Sequence, residues 1–246
     1  MKKLTSLVLL GFICIGLLSA QDAFDVQSRV YKTALKNYDL QAATIALYNM
    51  QALKPERTDL NDSLALLYFA GERYAQAYII GEEILKTNPK RNDILELVAV
   101  SKQNLGLIKE ALADYEKLYS NEKSVYYLYQ TATLQYQLKR YGECVASIDQ
   151  ILASADADKQ KVTIRLQQGS QEVAMKAAAY NVKGICAVEL NQDEAARQNF
   201  MKAIELAPDF VLAKGNLESL NKKKGEAKPV TPTPKTTTTP APKKTN

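Results

Sequence analysis

Small side chains recur along the chain at a nearly fixed interval. Ala43, Ala77, Ala111 and Cys144 are spaced by 34, 34 and 33 residues, and Ala196 follows 52 later. Four positions after these stand Leu47, Gly81, Tyr115, Ile148 and Phe200, and three further on come Met50, Ile84, Leu118, Ile151 and Ala203. A small residue at i with mostly apolar residues at i+4 and i+7 is one face of an amphipathic helix. Twelve positions before the later four small residues lie Ala65, Ala99, Ala132 and Gly184, with Tyr31 in the first unit. The pattern predicts a second helix meeting the first across a close seam, where a leucine would overpack by about 1–3 kcal/mol. Pro55, Pro89 and Pro208 each stand 12 residues after a small residue. Proline cannot continue a helix, so each marks a stop.

Each unit thus reads as two helices meeting across a seam. Gly71, Gly106 and Gly142 sit at or beside the turns, where a positive φ is useful. Such a pair cannot bury its apolar face alone, so neighbours must stack. The units run near 24–57, 58–91, 92–124, 125–158 and 177–210, within a folded segment 21–221. Residues 210–223 read as a capping helix whose lysines suit a helix C-terminus.

On Tyr180, Gly184, Ala196, Phe200, Ala203 and Pro208 of the last unit, and Leu64, Ala65, Tyr68, Tyr74, Ala77 and Pro89 of the second, the chain resembles the tetratricopeptide repeat (TPR) family. Lys123 and Asp156 stand where that pattern would place a final proline, and Tyr31 where a small residue is usual. The resemblance implies an all-α fold, a right-handed α-solenoid of about five helix-turn-helix repeats. It also implies an inner groove lined by the first helix of each repeat.

One stretch departs from the repeat. Residues 159–176 are an insertion in which Val162, Ile164 and Leu166 alternate with Thr163 and Arg165, the period of a strand. Gln168-Gly169-Ser170 is turn material and Gln171–Ala174 can return. The expectation is a two-stranded hairpin whose apolar face rests on the helices or on a partner, because a lone hairpin is marginal in water. The alternative is an extended helix with a loop.

The ends carry the charge. The formal net charge is +5, but residues 222–246 hold seven lysines and one acid, and Lys2 and Lys3 begin the chain; residues 21–221 keep 23 basic and 26 acidic residues. A nucleic-acid-binding body would show the reverse, so no nucleic-acid partner is expected. Residues 1–20 combine Lys2-Lys3, an apolar run of 15 residues from Leu4 to Leu18, and Ser19-Ala20. A membrane span needs about 20 apolar residues. The segment therefore reads as an export signal cleaved after Ala20, with an uncleaved anchor as the alternative. No stable membrane span is expected after cleavage. The Lys-Lys start and the Ala-Gln junction point to the periplasm or cell envelope of a bacterium. Residues 224–246 hold five of the eight prolines and almost no large apolar residues. They read as a disordered Thr/Pro/Lys-rich tail, either merely solvated or in contact with an anionic envelope surface.

Candidate chemistry is sparse. Histidine is absent, which removes His-based triads and most zinc sites. Phosphate-binding glycine loops, Cys-x-x-Cys pairs and serine elbows are missing too. No catalytic residue, metal site or cofactor is expected. Cys144 and Cys186 fall on helix faces read as buried, as core thiols or as a disulfide. By the family pattern the groove would present Asp59, Asp62, Leu66, Phe69, Asp93, Glu96, Gln103, Tyr126, Tyr129, Tyr136 and Asn181, with Lys32 and Lys36 from the first unit. One stretch of it is acidic and the next tyrosine-rich. Tyr127 and Tyr180 read as packing residues. Tyrosines suit interfaces, and the acids favour a protein or peptide partner with basic and apolar residues. In the competing reading the acids only solubilise and the tyrosines pack between helices. The function expected is a non-catalytic interaction scaffold of the envelope. The alternative is a cell-surface or cell-wall attachment protein targeted by its tail.

Overall fold

A computed structural model describes residues 21–222. The segments read from the sequence as an export signal (1–20) and as a tail (224–246) lie outside the described residues. Eleven α-helices are present among those described: α1 (21–36), α2 (Leu40–Leu53), α3 (Leu60–Ala70), α4 (Tyr74–Thr87), α5 (Asn92–Asn104), α6 (Ile108–Glu122), α7 (Val125–Gln137), α8 (Tyr141–Ala153), α9 (Met175–Glu189), α10 (Asp193–Leu206) and α11 (Val211–Asn221). A 3-10 turn (Ala155–Asp158) and two strands, β1 (Lys161–Arg165) and β2 (Ser170–Ala174), separate α8 from α9. The fold is all-α in successive helix pairs, with a small hairpin before the last pair, as read from the sequence. The chain forms two compact units, residues up to Leu97 and residues from Val98 on.

The turn inside each pair is built the same way. One residue takes a left-handed φ at each: Tyr38 (57°), Glu72 (55°), Gly106 (78°), Lys139 (60°) and Asn191 (58°). The following amide bonds back to a carbonyl five residues earlier: Asp39 to Ala34, Arg73 to Tyr68, Leu107 to Lys102, Arg140 to Gln135 and Gln192 to Ala187, all at 2.8–2.9 Å. These closures satisfy helix carbonyls that would otherwise lack partners. Only Gly106 therefore uses the freedom expected of the turn glycines. Gly71 lies at φ −83°, one residue before the left-handed position, and Gly142 lies inside α8. The hydrogen-bond pattern, rather than glycine, fixes the conformation, and Glu72 and Lys139 bear its steric cost.

The exits from the second helices follow the prolines. Lys54, Asn88 and Ala207 each precede one, and each leaves its helix at φ −138° to −144° and ψ 77° to 87°. Clash with the proline ring excludes the α region at the preceding residue. Where proline is missing the exits differ: Lys123 turns left-handed at φ 55° and Ser154 is extended.

The periodic positions form the core. Ala43, Ala77, Ala111, Cys144 and Ala196 are fully buried, as are Ala65, Ala99 and Ala132. In the second unit the hairpin rests on the helices. Its strands pair antiparallel with Val162 opposite Val173, and Val162, Ile164 and Val173 join the core formed by α7, α8, α9 and α11. The Gln171 side-chain amide donates to the Asp209 carbonyl (2.8 Å) and accepts from the Val211 amide (3.1 Å), tying β2 to the start of α11. Gln171→Ala removes both bonds. The expected cost is about 1 kcal/mol, with faster amide exchange at Val211 and no change at Val173. Denaturant melts and hydrogen exchange read both.

Candidate partner-binding face

In the first unit α3 has two unlike faces. It buries Leu60, Leu64, Ala65, Leu67 and Tyr68. The Tyr68 hydroxyl meets that of Tyr48 on α2 at 2.6 Å, and the Arg73 guanidinium lies over the Tyr68 ring. Burial, and then the bond to Tyr48, push the Tyr68 hydroxyl up to about 12, so it stays protonated as a structural pin. With that face fixed, Asp62, Leu66 and Phe69 form an accessible stripe at i, i+4 and i+7, and Leu66 is 43% exposed. Phe69 meets the ring of Tyr74 edge-on at 5.9 Å, which holds its orientation.

The acids of this unit are held by arginines. Arg57 forms a two-pronged bond to Asp59, both contacts at 2.7 Å. Arg91 does the same to Asp93 (2.8 and 2.7 Å) and reaches Asp62 at 2.8 Å, linking α3 to the start of α5. Arg57 holds the Asp59 carboxyl, and Arg91 the Asp93 carboxyl, below the usual carboxylate range. Hydrogen bonding to Asp93 first, and then to Asp62, raises the Arg91 guanidinium above its ordinary value. Glu96 lies half-buried one turn along α5. The expected acidic stretch is therefore a set of ordered ion pairs with a small residual negative charge. The arginines were missed in the sequence, although Pro-x-Arg-x-Asp recurs at 55–59 and 89–93, one period apart.

The second unit presents less surface than the groove reading required. Tyr129 is 1% exposed and Asn181 is fully buried, so both are packing residues and not groove residues. Tyr129 belongs to the core that also holds Cys144, Cys186 and the hairpin's Val162 and Ile164, and this burial pushes its hydroxyl pKa upward. Asn181 on α9 accepts a 3.0 Å bond from the Asn216 side chain on α11, so the last helix covers that position. Gln103 and Tyr126 are half-buried; Gln103 accepts from the Tyr115 hydroxyl at 3.3 Å, and Tyr126 stacks edge-on against Tyr127 at 5.4 Å. Tyr136 is half-buried, its hydroxyl 3.5 Å from one Glu189 oxygen, and Tyr141 donates to the other at 3.2 Å. Tyr127 is buried and Tyr180 half-buried. Lys32 and Lys36 are exposed on α1. Among the described residues no cluster of metal-ligating side chains occurs, and no helix is long and apolar enough to cross a membrane.

Residues 177–210, which are α9, α10 and their turn, match the tetratricopeptide repeat family. Solved structures carry the likeness further. YrrB, a TPR protein with an unusual peptide-binding site, superposes with a TM-score of 0.59 at 16% identity over 75% of this chain and 87% of its own. A MamA structure gives 0.60 at 9% identity over 76% and 93%. MamA from Desulfovibrio magneticus RS-1 gives 0.59 at 11% over 77% and 98%. No curated protein shows significant similarity in sequence. The last helix pair thus matches a tetratricopeptide repeat, and the chain shares the fold of these solved structures.

Proposed function

We propose that the protein is a non-catalytic scaffold that binds a partner polypeptide through the accessible stripe of α3, and that it is exported to a bacterial envelope. The stripe itself carries the reading: Leu66 stands exposed between Asp62 and Phe69 on a helix whose opposite face is locked into the core. An apolar partner side chain would settle on Leu66 and Phe69. Its basic groups or backbone amides would take the carboxylate lone pairs that Arg57 and Arg91 leave over on Asp59, Asp62 and Asp93. The likeness to YrrB, a protein with a peptide-binding site, supports a peptide as ligand. In the second unit Gln103, Tyr126 and Tyr136 are the half-buried candidates for contact with a partner. Export rests on residues 1–20, and a mature chain beginning at Gln21 would show it by intact mass.

A photocrosslinking residue at position 66 is expected to capture a discrete partner from cells of the source organism. The same residue at exposed Ile79 on α4 is expected not to. Phe69→Ala then lowers affinity for the captured partner about tenfold, and Ile79→Ala changes it less than about twofold. Equal capture at both positions would remove the assignment. The seven lysines against one acid in residues 222–246 favour a second reading, attachment to an anionic surface through the tail. Deleting residues 222–246 abolishes envelope association under that reading and leaves it intact under the first.

A further inference from the structure

Cys144 on α8 and Cys186 on α9 lie with their Sγ atoms 3.3 Å apart, and both side chains are fully buried. They come from consecutive repeats and are 42 residues apart in sequence, on either side of the hairpin insertion. A disulfide bond measures about 2.05 Å. Closing the remaining distance is a shift of little more than an ångström, within the reach of side-chain rotation and slight helix adjustment. Cys144 occupies the repeat position of Ala43, Ala77 and Ala111, while Cys186 stands where earlier repeats carry Leu67, Ser101 and Leu134.

We propose that Cys144 and Cys186 are a disulfide-forming pair that staples the fourth helix pair to the fifth across the insertion. The co-reactant is a disulfide-bearing thiol oxidant, a small molecule or an oxidoreductase. The thiolate of one cysteine attacks a sulfur of that disulfide. The oxidant's S–S bond breaks, one thiolate leaves, and a mixed disulfide forms. The second cysteine, deprotonated in turn, attacks the protein-side sulfur and expels the other thiolate. The two protons lost by the cysteines end on the two released thiols. The pair is oxidised by two electrons and the oxidant reduced by two.

Burial sets when this occurs. The hydrogen bond from Cys186 and then removal from water raise the Cys144 pKa, which suppresses the Cys144 thiolate in the folded chain. Oxidation therefore belongs to the folding chain, before α8 and α9 close, and the finished bond is shielded from reductant. The loop it closes contains the hairpin, so the staple narrows the unfolded ensemble around the one segment that departs from the repeat.

The test refolds the full-length chain from urea with oxidised glutathione, and in parallel with dithiothreitol. Peptide mapping is expected to find Cys144 joined to Cys186 in most molecules, with helical circular dichroism unchanged. The melting temperature rises by about 5 °C or more over the reduced form. In Cys144→Ser the oxidant-dependent rise disappears. Dithiothreitol added to the oxidised folded chain cleaves the bond only when denaturant is also present. Two unlinked thiols, glutathione adducts alone, or a cross-linked chain without native circular dichroism would each overturn the proposal. The outcome is independent of partner binding, since mapping and melting are read on the purified chain alone.

Discussion

Phe200→Ala is expected to lower stability by about 3–5 kcal/mol, seen as a lower midpoint in urea with the slope unchanged. Phe200 on α10 is fully buried in the second unit. It packs with Ile185, Ala187, Ala196 and Leu220, so its loss opens a cavity touching α9, α10 and α11 together. Its ring lies directly over Gly184 on α9: a Cβ at that position would fall 2.6 Å from Cδ1, and closer still to Cε1. An aromatic ring cannot bend out of the way, so Gly184→Ala is expected to cost about 1–3 kcal/mol by overpacking. The two effects are not independent. In the double variant the alanine methyl enters the space the ring vacated. The double variant is therefore expected to be more stable than the sum of the single changes predicts, by about 1–2 kcal/mol. Strict additivity would mean that α9 and α10 had already moved apart, and that the seam is not held by this contact.

That seam was legible in the sequence because it obeys a period. Gly184 and Phe200 were both marked by their place in a pattern that five units repeat, and the fully buried alanines confirm the register. The hairpin was legible for a related reason: Val162 and Ile164 alternate with polar residues, and that alternation does not belong to a helix. The turns were less so. The sequence suggested glycine at each, but the chain reaches the left-handed conformation with Tyr38, Glu72, Lys139 and Asn191. Here the backbone hydrogen bonds between the turn and the preceding helix decide, and they leave no mark on residue type.

The candidate site was only half legible. Periodicity says which side chains share a helix face. It does not say what else comes to lie on that face. Asp62, Tyr129 and Asn181 occupy equivalent positions in their repeats, yet the first is accessible and the other two are buried. Asn216 of α11 covers Asn181, and Tyr129 sits in a core that the non-repeating hairpin helps to complete. Capping and insertion are the two departures from the repeat, and burial follows them. The ion pairs were hidden differently. Arg57 and Arg91 lie in the links before α3 and α5, outside the helix faces on which the groove was drawn.

Lys102 illustrates a charge that a helix pattern alone would place in solvent. It is the last-turn cation of α5, and its Nζ lies 2.7 Å from Oδ2 of Asp114 on α6, with the two side chains only 9% and 16% exposed. Two charges removed from water recover their desolvation cost only through close pairing and further hydrogen bonds. Removing one partner is then worse than removing both. Lys102→Met keeps the length and apolar stem of the side chain but strips Asp114 of its cation. The expected loss is about 3–5 kcal/mol, measured as a shift of the urea midpoint. Combining it with Asp114→Leu removes the carboxylate that has lost this cation and is expected to recover part of that stability. The salt response separates this pair from the surface ones: 1 M sodium chloride screens the exposed Lys161–Glu172 pair, whose side chains are each 63% exposed, but leaves the Lys102→Met deficit nearly unchanged. A double variant no more stable than Lys102→Met would show that Lys102 acts through its stem and not through its charge.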